Sequence, residues 1–229
     1  MFFAWSGLFE QMAMADVFVH YDDVQLPQGR SFITRVQVKT STGVRWLSAP
    51  VERSSRGPIN QVRLDQRTPW RQHHIVTLRT ALAAAPHVET AVRLAEGLLH
   101  DHGTSLCSLN VAATESIAAE FGLAPRFLRS SALAIPGHSS ERLVAIVQSL
   151  GGTVYLTGHG AANYLNHELF ERAGLEVRYV RYGLRPYPQL HGEFTPFVTA
   201  LDLIANMGRA ANTVLDADSV NWREFRPPG

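Results

Sequence analysis

The sequence predicts an α/β protein, a mixed β-sheet flanked by helices with a β-hairpin near the N-terminus. Three observations predict it. Short runs rich in Val, Phe and Tyr alternate with stretches of helical spacing. The stretch "TPWRQHHIVTLRTALAAAP" carries its own helix punctuation, and "GTVYLTGHGAANYLNHELFERAGLEVRYVRY" reads as strand, glycine loop, helix and strand, a βαβ-like unit.

Taken in order, residues 4–14 have helical spacing and "DVFVHY" is strand-like, so Asp22 and Asp23 fall just past a strand's carboxyl end. In "RSFITRVQVKTSTGVRWLSAPV" two strands flank "TSTG", with Gly43 supplying the turn. Alternation sets Phe32, Thr34, Val36 and Val38 on one face and Ile33, Arg35, Gln37 and Lys39 on the other, which is therefore cationic. The next helix has Thr68 as N-cap, Pro69 at its first position and Pro86 past its end. Trp70, His74, Leu78, Ala81 and Leu82 lie on or beside its apolar face, whereas His73 points elsewhere. Helices follow over about residues 88–99 and 104–121, then a short strand in "PRFLRSSAL" ending at Ser130 and Ser131, and a helix across "SERLVAIVQSL". "RPYPQLHGEFTP" is too proline-rich to be regular. "FVTALDLIANMG" is a last helix closed by Gly208, and residues 209–229 read as a tail to a single domain over residues 1–229.

With 229 residues, 45% of them hydrophobic, the chain can bury a full core without disulfides. Its 21 basic and 20 acidic residues leave a net charge of +1, which creates no global field for nucleic acid or an anionic membrane. The opening "MFFAWSGLFEQMAMADVFV" lacks a basic leader and is interrupted by Glu10 and Asp16, so neither a signal peptide nor a spanning helix is expected. The single cysteine, Cys107, excludes an intramolecular disulfide and fits a reducing compartment, with the cytoplasm as the expected location.

Several groups have the chemistry for a site. Asp22 and Asp23 read either as a turn, where aspartate bonds its own backbone, or as paired carboxylates that split acid and base roles or hold a divalent cation. Arg35 and Lys39 read either as a solvated hairpin face or as partners for a carboxylate or phosphate. Gly158 and Gly160 sit between strand and helix, where backbone N–H groups hold an anion or merely make a turn, and Arg181 on the following strand would reinforce an anion site. A dinucleotide fingerprint fails in part, because Asn163 stands where its third glycine belongs and the second strand ends near Arg181 without a ribose-binding acid. His159, at the loop's tip, reads as loop polarity or as a general acid or base. The ten histidines form no convincing metal-ligand set, so no metal is expected, and the sequence names no cofactor. Cys107 lies in the apolar stretch "SLCSLNVAA" and reads as core.

Eight stretches in this order resemble the WbqC-like proteins: "LFEQMAMADVFVHYDDVQ", "SFITRVQVKT", "WLSAPV", "WRQHHIVTLRTALAAAP", "LRSSAL", "VYLTGHGAANYL", "YPQLHGEF" and "ALDLIANMG". The resemblance runs from residue 5 to about residue 208. It implies a shared site formed from Asp16, Asp22, Asp23, Arg35, Lys39, Trp70, His74, Ser131, Gly158, Tyr164, Tyr187, Gln189 and Asp202. Family members resemble a short strand followed by "HQPNYLPW" at the start, where this chain reads "MFFAWSG". Either the true start lies upstream or part of the site is lost, and if the missing histidine is catalytic, the chain would bind without turning over.

The family is associated with bacterial surface-polysaccharide loci and natural-product clusters, and the resemblance implies work on amino sugars or related amines. The leading expectation is an enzyme that transfers a small acyl or aminoacyl group to an amine of a sugar or metabolite. Asp23, His74 or His159 would be the base, Asp22 the companion carboxylate, and the Gly158 loop with Arg35 the oxyanion donors. The alternatives are a non-catalytic binding protein presenting a carrier- or nucleotide-linked substrate to a partner, and a nucleotide-dependent ligase. Expected partners are a small-molecule substrate and a carrier-bound acyl donor, with a homo-oligomer left open and neither nucleic acid nor membrane expected.

Overall fold

Helix and strand form where local chemistry favours them, and a computed structural model describes the outcome over residues 1–29, 31–52 and 57–226. The chain begins with α1 (Ser6–Ala13), which leads into β1 (Val17–His20), then the hairpin of β2 (Arg35–Thr40) and β3 (Gly43–Ser48). Gly43 has φ of +106°, the left-handed backbone that the tight turn requires. Three helices follow, α2 (Trp70–Ala81), α3 (Val88–Asp101) and α4 (Leu106–Glu120), the last capped by Ser105, whose side chain accepts from the Ser108 N–H. Next come β4 (Arg126–Arg129), the single turn α5 (Ser130–Leu133) and α6 (Ser139–Ser149). The unit β5 (Val154–Thr157), α7 (His167–Arg172) and β6 (Glu176–Arg181) precedes α8 (Ala200–Met207) and β7 (Asp218–Asn221).

Among the described residues, the strands form three small sheets. β1 pairs with β4 in parallel, from Val17 opposite Arg126 to His20 opposite Arg129. β2 and β3 make the antiparallel hairpin, and β6 pairs in parallel with β5 and antiparallel with β7. Among the described residues, two buried apolar clusters result. One, with Phe9, Val38, Leu78, Ile117 and Leu203, is enclosed by α1–α4, α8 and the hairpin. The other, with Val144, Phe170, Val177, Tyr179 and Val220, is enclosed by α6, α7 and the β5–β7 sheet. Among the described residues, no helix is long and apolar enough to cross a membrane.

Several local expectations are corrected. Residues 209–226 are not a tail: β7 completes a sheet beside β6, and Phe225 is buried in the second cluster. Its strand, "DSVN", is too short and polar to announce itself. The glycine loop opens into a 3-10 helix, His159–Asn163, rather than directly into an α-helix, and Asn166 caps the short α7. Ser130 and Ser131 begin α5 instead of ending a strand. Pro69 itself is the N-cap of α2, without a side-chain cap from Thr68. β2 begins at Arg35, so Phe32 precedes it in a turn and lies 54% exposed while Val36 and Val38 are buried.

Candidate functional site

Because β1 and β4 run in parallel, their carboxyl ends emerge at the same edge, the place where α/β sheets hold ligands. Asp22 follows β1 and is buried. Its Oδ1 accepts from the Ser131 N–H at 3.0 Å and the Ser130 hydroxyl at 3.2 Å, and its Oδ2 accepts from the Ser131 hydroxyl at 2.8 Å. Its own N–H donates to Ser130 Oγ at 3.1 Å. With its lone pairs so engaged, Asp22 ties the start of α5 to the end of β1. Cys107 Sγ lies 3.8 Å from Asp22 Oδ2, and burial, followed by the neighbouring carboxylate, pushes its thiol pKa up.

Asp23, one residue on, faces Arg142 of α6. Nη1 donates to Oδ1 at 2.9 Å and Nη2 to Oδ2, while Ser130 Oγ reaches Oδ1 at 2.6 Å. Arg142 also donates from Nε to the Ile135 carbonyl at 2.9 Å, and its Cζ lies 5.2 Å from the centre of the Tyr21 ring. The bidentate guanidinium holds the Asp23 carboxyl below its ordinary range, so at neutral pH it is ionised. A cavity of about 360 Å³ opens beside the pair, lined among others by Tyr21, Asp23, His138, Arg142, Tyr155 and Tyr164. Burial pushes the Tyr155 phenol up to about 12 and raises that of Tyr164 as well, so both remain neutral hydroxyls. The cavity thus presents a neutralised ion pair, phenols and an imidazole. Those groups offer hydrogen bonds to a polar ligand rather than a net charge, since Asp23 already engages the guanidinium.

The family model described as "WbqC-like protein family" matches residues 1–214. The chain belongs to the WbqC-like protein family. It is 33% identical over 211 residues to "Uncharacterized protein Rv1507c" of Mycobacterium tuberculosis (strain ATCC 25618 / H37Rv), a match covering 90% of each chain. No solved structure matches it.

Other expected site residues of this WbqC-like chain gather elsewhere. Lys39 is buried, and its Nζ donates to Gln189 Oε1 and the Gly192 carbonyl at 3.0 Å each and to the Glu193 carbonyl at 2.5 Å. Gln189 Nε2 and the Tyr187 hydroxyl reach Asp202 Oδ1 at 3.1 and 2.8 Å. Burial raises the pKa of Asp202, against the pull of these donors, and raises that of Tyr187. These four residues form a buried network that fastens the irregular segment after β6 to β2 and α8. Arg35 stacks on Trp46, with Cζ 3.8 Å from the ring centre. Neither Arg35 nor Lys39 lines the cavity, contrary to the expected convergence with the Asp22 end of β1.

His74 and Trp70 belong to the first core. His74 Nε2 bonds the Ser48 carbonyl at 3.1 Å, Trp70 Nε1 donates to the Asp65 carbonyl at 2.9 Å, and burial pushes the His74 imidazole down to about 4. It is thus a neutral core histidine. Asp16 is exposed, and its carbonyl accepts from the Arg126 N–H at 2.9 Å. The glycine loop also has structural work. A Cβ on Gly158 would lie 2.8 Å from the Tyr182 hydroxyl, whereas one on Gly160 would meet nothing within 4 Å. His159 Nε2 bonds the Val180 carbonyl at 2.7 Å. Arg181 pairs with Asp218 of β7 at 2.9 Å, so the expected positive loop is neutralised by a strand that the sequence had hidden.

Of the expected residues, Asp23 and Tyr164 line the cavity, while Asp22 and Ser131 support its edge from behind. The WbqC-like fold adds Tyr21, Ser130, His138, Arg142 and Tyr155. Tyr21 adjoins the acids in "HYDD" and had a sequence signal. Arg142 had none, since it reads as an ordinary polar residue of an amphipathic helix.

Proposed function

We propose that this WbqC-like protein is an enzyme of a polysaccharide or natural-product pathway that transfers a small acyl or aminoacyl group to an amine of a sugar or metabolite. One observation carries the reading: an ionised carboxylate, Asp23, faces a phenol-lined cavity at the carboxyl ends of two parallel strands. Asp23 accepts a hydrogen bond from the substrate's amine and orients it. The amine nitrogen then attacks the acyl carbon, forming the C–N bond, while the bond to the carrier breaks and its electron pair leaves with the carrier atom. His138 takes the proton lost by nitrogen and returns it to the leaving group. The Tyr164 hydroxyl, on an exposed side chain that lines the cavity, donates to the developing oxyanion. The donor is carrier-bound, and a lone buried thiol at Cys107 suits a reducing, cytoplasmic setting.

A binding-only role draws support from one feature, the low proton affinity that Arg142 imposes on Asp23, which makes this carboxylate a weak base. Thermal-shift titration with an amino sugar and its N-acetylated counterpart, followed by intact-mass assay with an acyl thioester, separates the readings. Stabilisation by the amine alone, lost in Asp23→Asn, together with an N-acylated product, is the expected outcome. Stabilisation without product leaves the binding role, and no response to any amine overturns the transferase reading.

A further inference from the structure

The cavity lies between two groups of elements that have separate apolar cores. Phe18 of β1 and Val24 pack on the first cluster, whereas Leu143 and Val147 of α6 and Tyr155 of β5 pack on the second. Residues of both kinds line the cavity: Val24 and Asp23 from one side, Leu143, Arg142 and Tyr155 from the other. Among the described residues, no helix or strand around the second cluster packs extensively on one around the first. Polar side chains reach across instead. Gln11 Nε2 donates to the Leu156 carbonyl at 3.2 Å, Glu10 accepts from the N–H groups of Gly183 and Leu184 at 3.2 and 3.1 Å, and Asp23 takes Arg142. An aromatic contact joins them as well, Trp5 against Tyr182 with ring centres 5.0 Å apart.

The chain's crossings between the two sides have the character of a hinge. In the first, from the end of α5 to the first residue of α6, Ala134, Gly137 and Ser139 all adopt positive φ, +52°, +110° and +50°. Such short irregular connections absorb backbone rotation while the elements they join stay rigid. The second and third crossings press on each other, because a Cβ on Gly183 would lie 1.5 Å from the Asp216 carbonyl oxygen and Arg185 pairs with Asp216. Glu10 grips the same place.

We propose that the chain is a two-lobed clamp, with the Asp23–Arg142 ion pair as the latch across the cleft and the crossings near Gly183 and Asp216 as its hinge. A seam held by polar contacts opens at lower cost than one held by a shared apolar core, which stays closed through non-directional burial. Arg142 is well placed as the moving half. It is almost fully buried against Asp23 and Ile135 and rides on α6, whose apolar face belongs to the second lobe.

The test uses no added ligand, so its result is independent of the proposed reaction. Spin labels at Thr80→Cys in α2 and Gln148→Cys in α6, both exposed, report the distance between lobes by pulsed electron resonance, with the buried Cys107 retained. The unlatched variant Arg142→Met is expected to add a longer-distance population. Arg142→Lys, which keeps the charge, should stay nearer the parent distribution, and Asp23→Asn should follow Arg142→Met. Arg79→Met, which breaks an exposed ion pair within the first lobe, should change nothing. Superimposable distributions for Arg142→Met, Asp23→Asn and the parent overturn the latch. If Arg142→Met does not fold, Asp23→Asn decides by the same criterion.

Discussion

Lys39 Nζ donates to Gln189 Oε1 at 3.0 Å, joining a hairpin strand to a segment 150 positions away. The same amide donates from its nitrogen to Asp202 Oδ1 at 3.1 Å, so Gln189 stands between a buried cation and a buried carboxylate. An ammonium needs acceptors when water is excluded, and here three oxygens supply them. Lys39→Met should leave those acceptors short of a donor and cost about 3 kcal/mol. Urea denaturation measures the cost, and limited proteolysis should show faster cleavage between residues 183 and 198. Unchanged cleavage would mean that the network does not hold the segment.

Asp22→Ala should lower stability by about 3 kcal/mol, because it strips the acceptor from the Ser131 hydroxyl and the Ser131 N–H. Asp23→Asn should act on ligand affinity more than on folding, since losing the ion pair to Arg142 leaves the two apolar cores intact. Denaturant midpoints and amine titration of both variants check the division of labour. Equal losses in both measurements for both variants contradict it.

Stability should fall on acidification through a window set by His74. Its folded pKa, about 4, lies below the ordinary 6.5, so between those values the unfolded chain binds a proton that the folded chain does not. This group is therefore without effect above about pH 6.5 and removes up to about 3 kcal/mol by pH 4. His74→Leu should flatten the profile of unfolding free energy across that window. A parallel profile for the variant would assign the acid sensitivity to other groups.

Gly158→Ala should destabilise by about 1–2 kcal/mol through the Tyr182 hydroxyl, 2.8 Å from the new Cβ. In a Tyr182→Phe background that oxygen is gone, and the same substitution should cost less. A double-mutant cycle from thermal or urea denaturation reads the difference. Strict additivity would mean that the glycine is required for another reason.

Local spacing alone sets which residues turn inward wherever a regular period runs. The α2 face of Trp70, His74, Leu78 and Ala81 is buried as the 3.6-residue period requires, and β1 delivers Asp22 and Asp23 just past its end. The strand, loop, helix and strand order of β5, α7 and β6 was legible for the same reason, as was the family resemblance. What those acids meet depends on long-range packing. Arg142 is 119 positions from Asp23 and Ser130 is 108 from Asp22, and no periodicity relates residues that far apart. It also separated groups that looked alike as a list: Lys39 and Asp202 went to a buried network, His74 to the core, and Arg181 to Asp218 on a strand with too little apolar content to show. Burial direction is a local property of the chain, readable from spacing, whereas a side chain's partner depends on how sheets pair and cores close over the whole molecule.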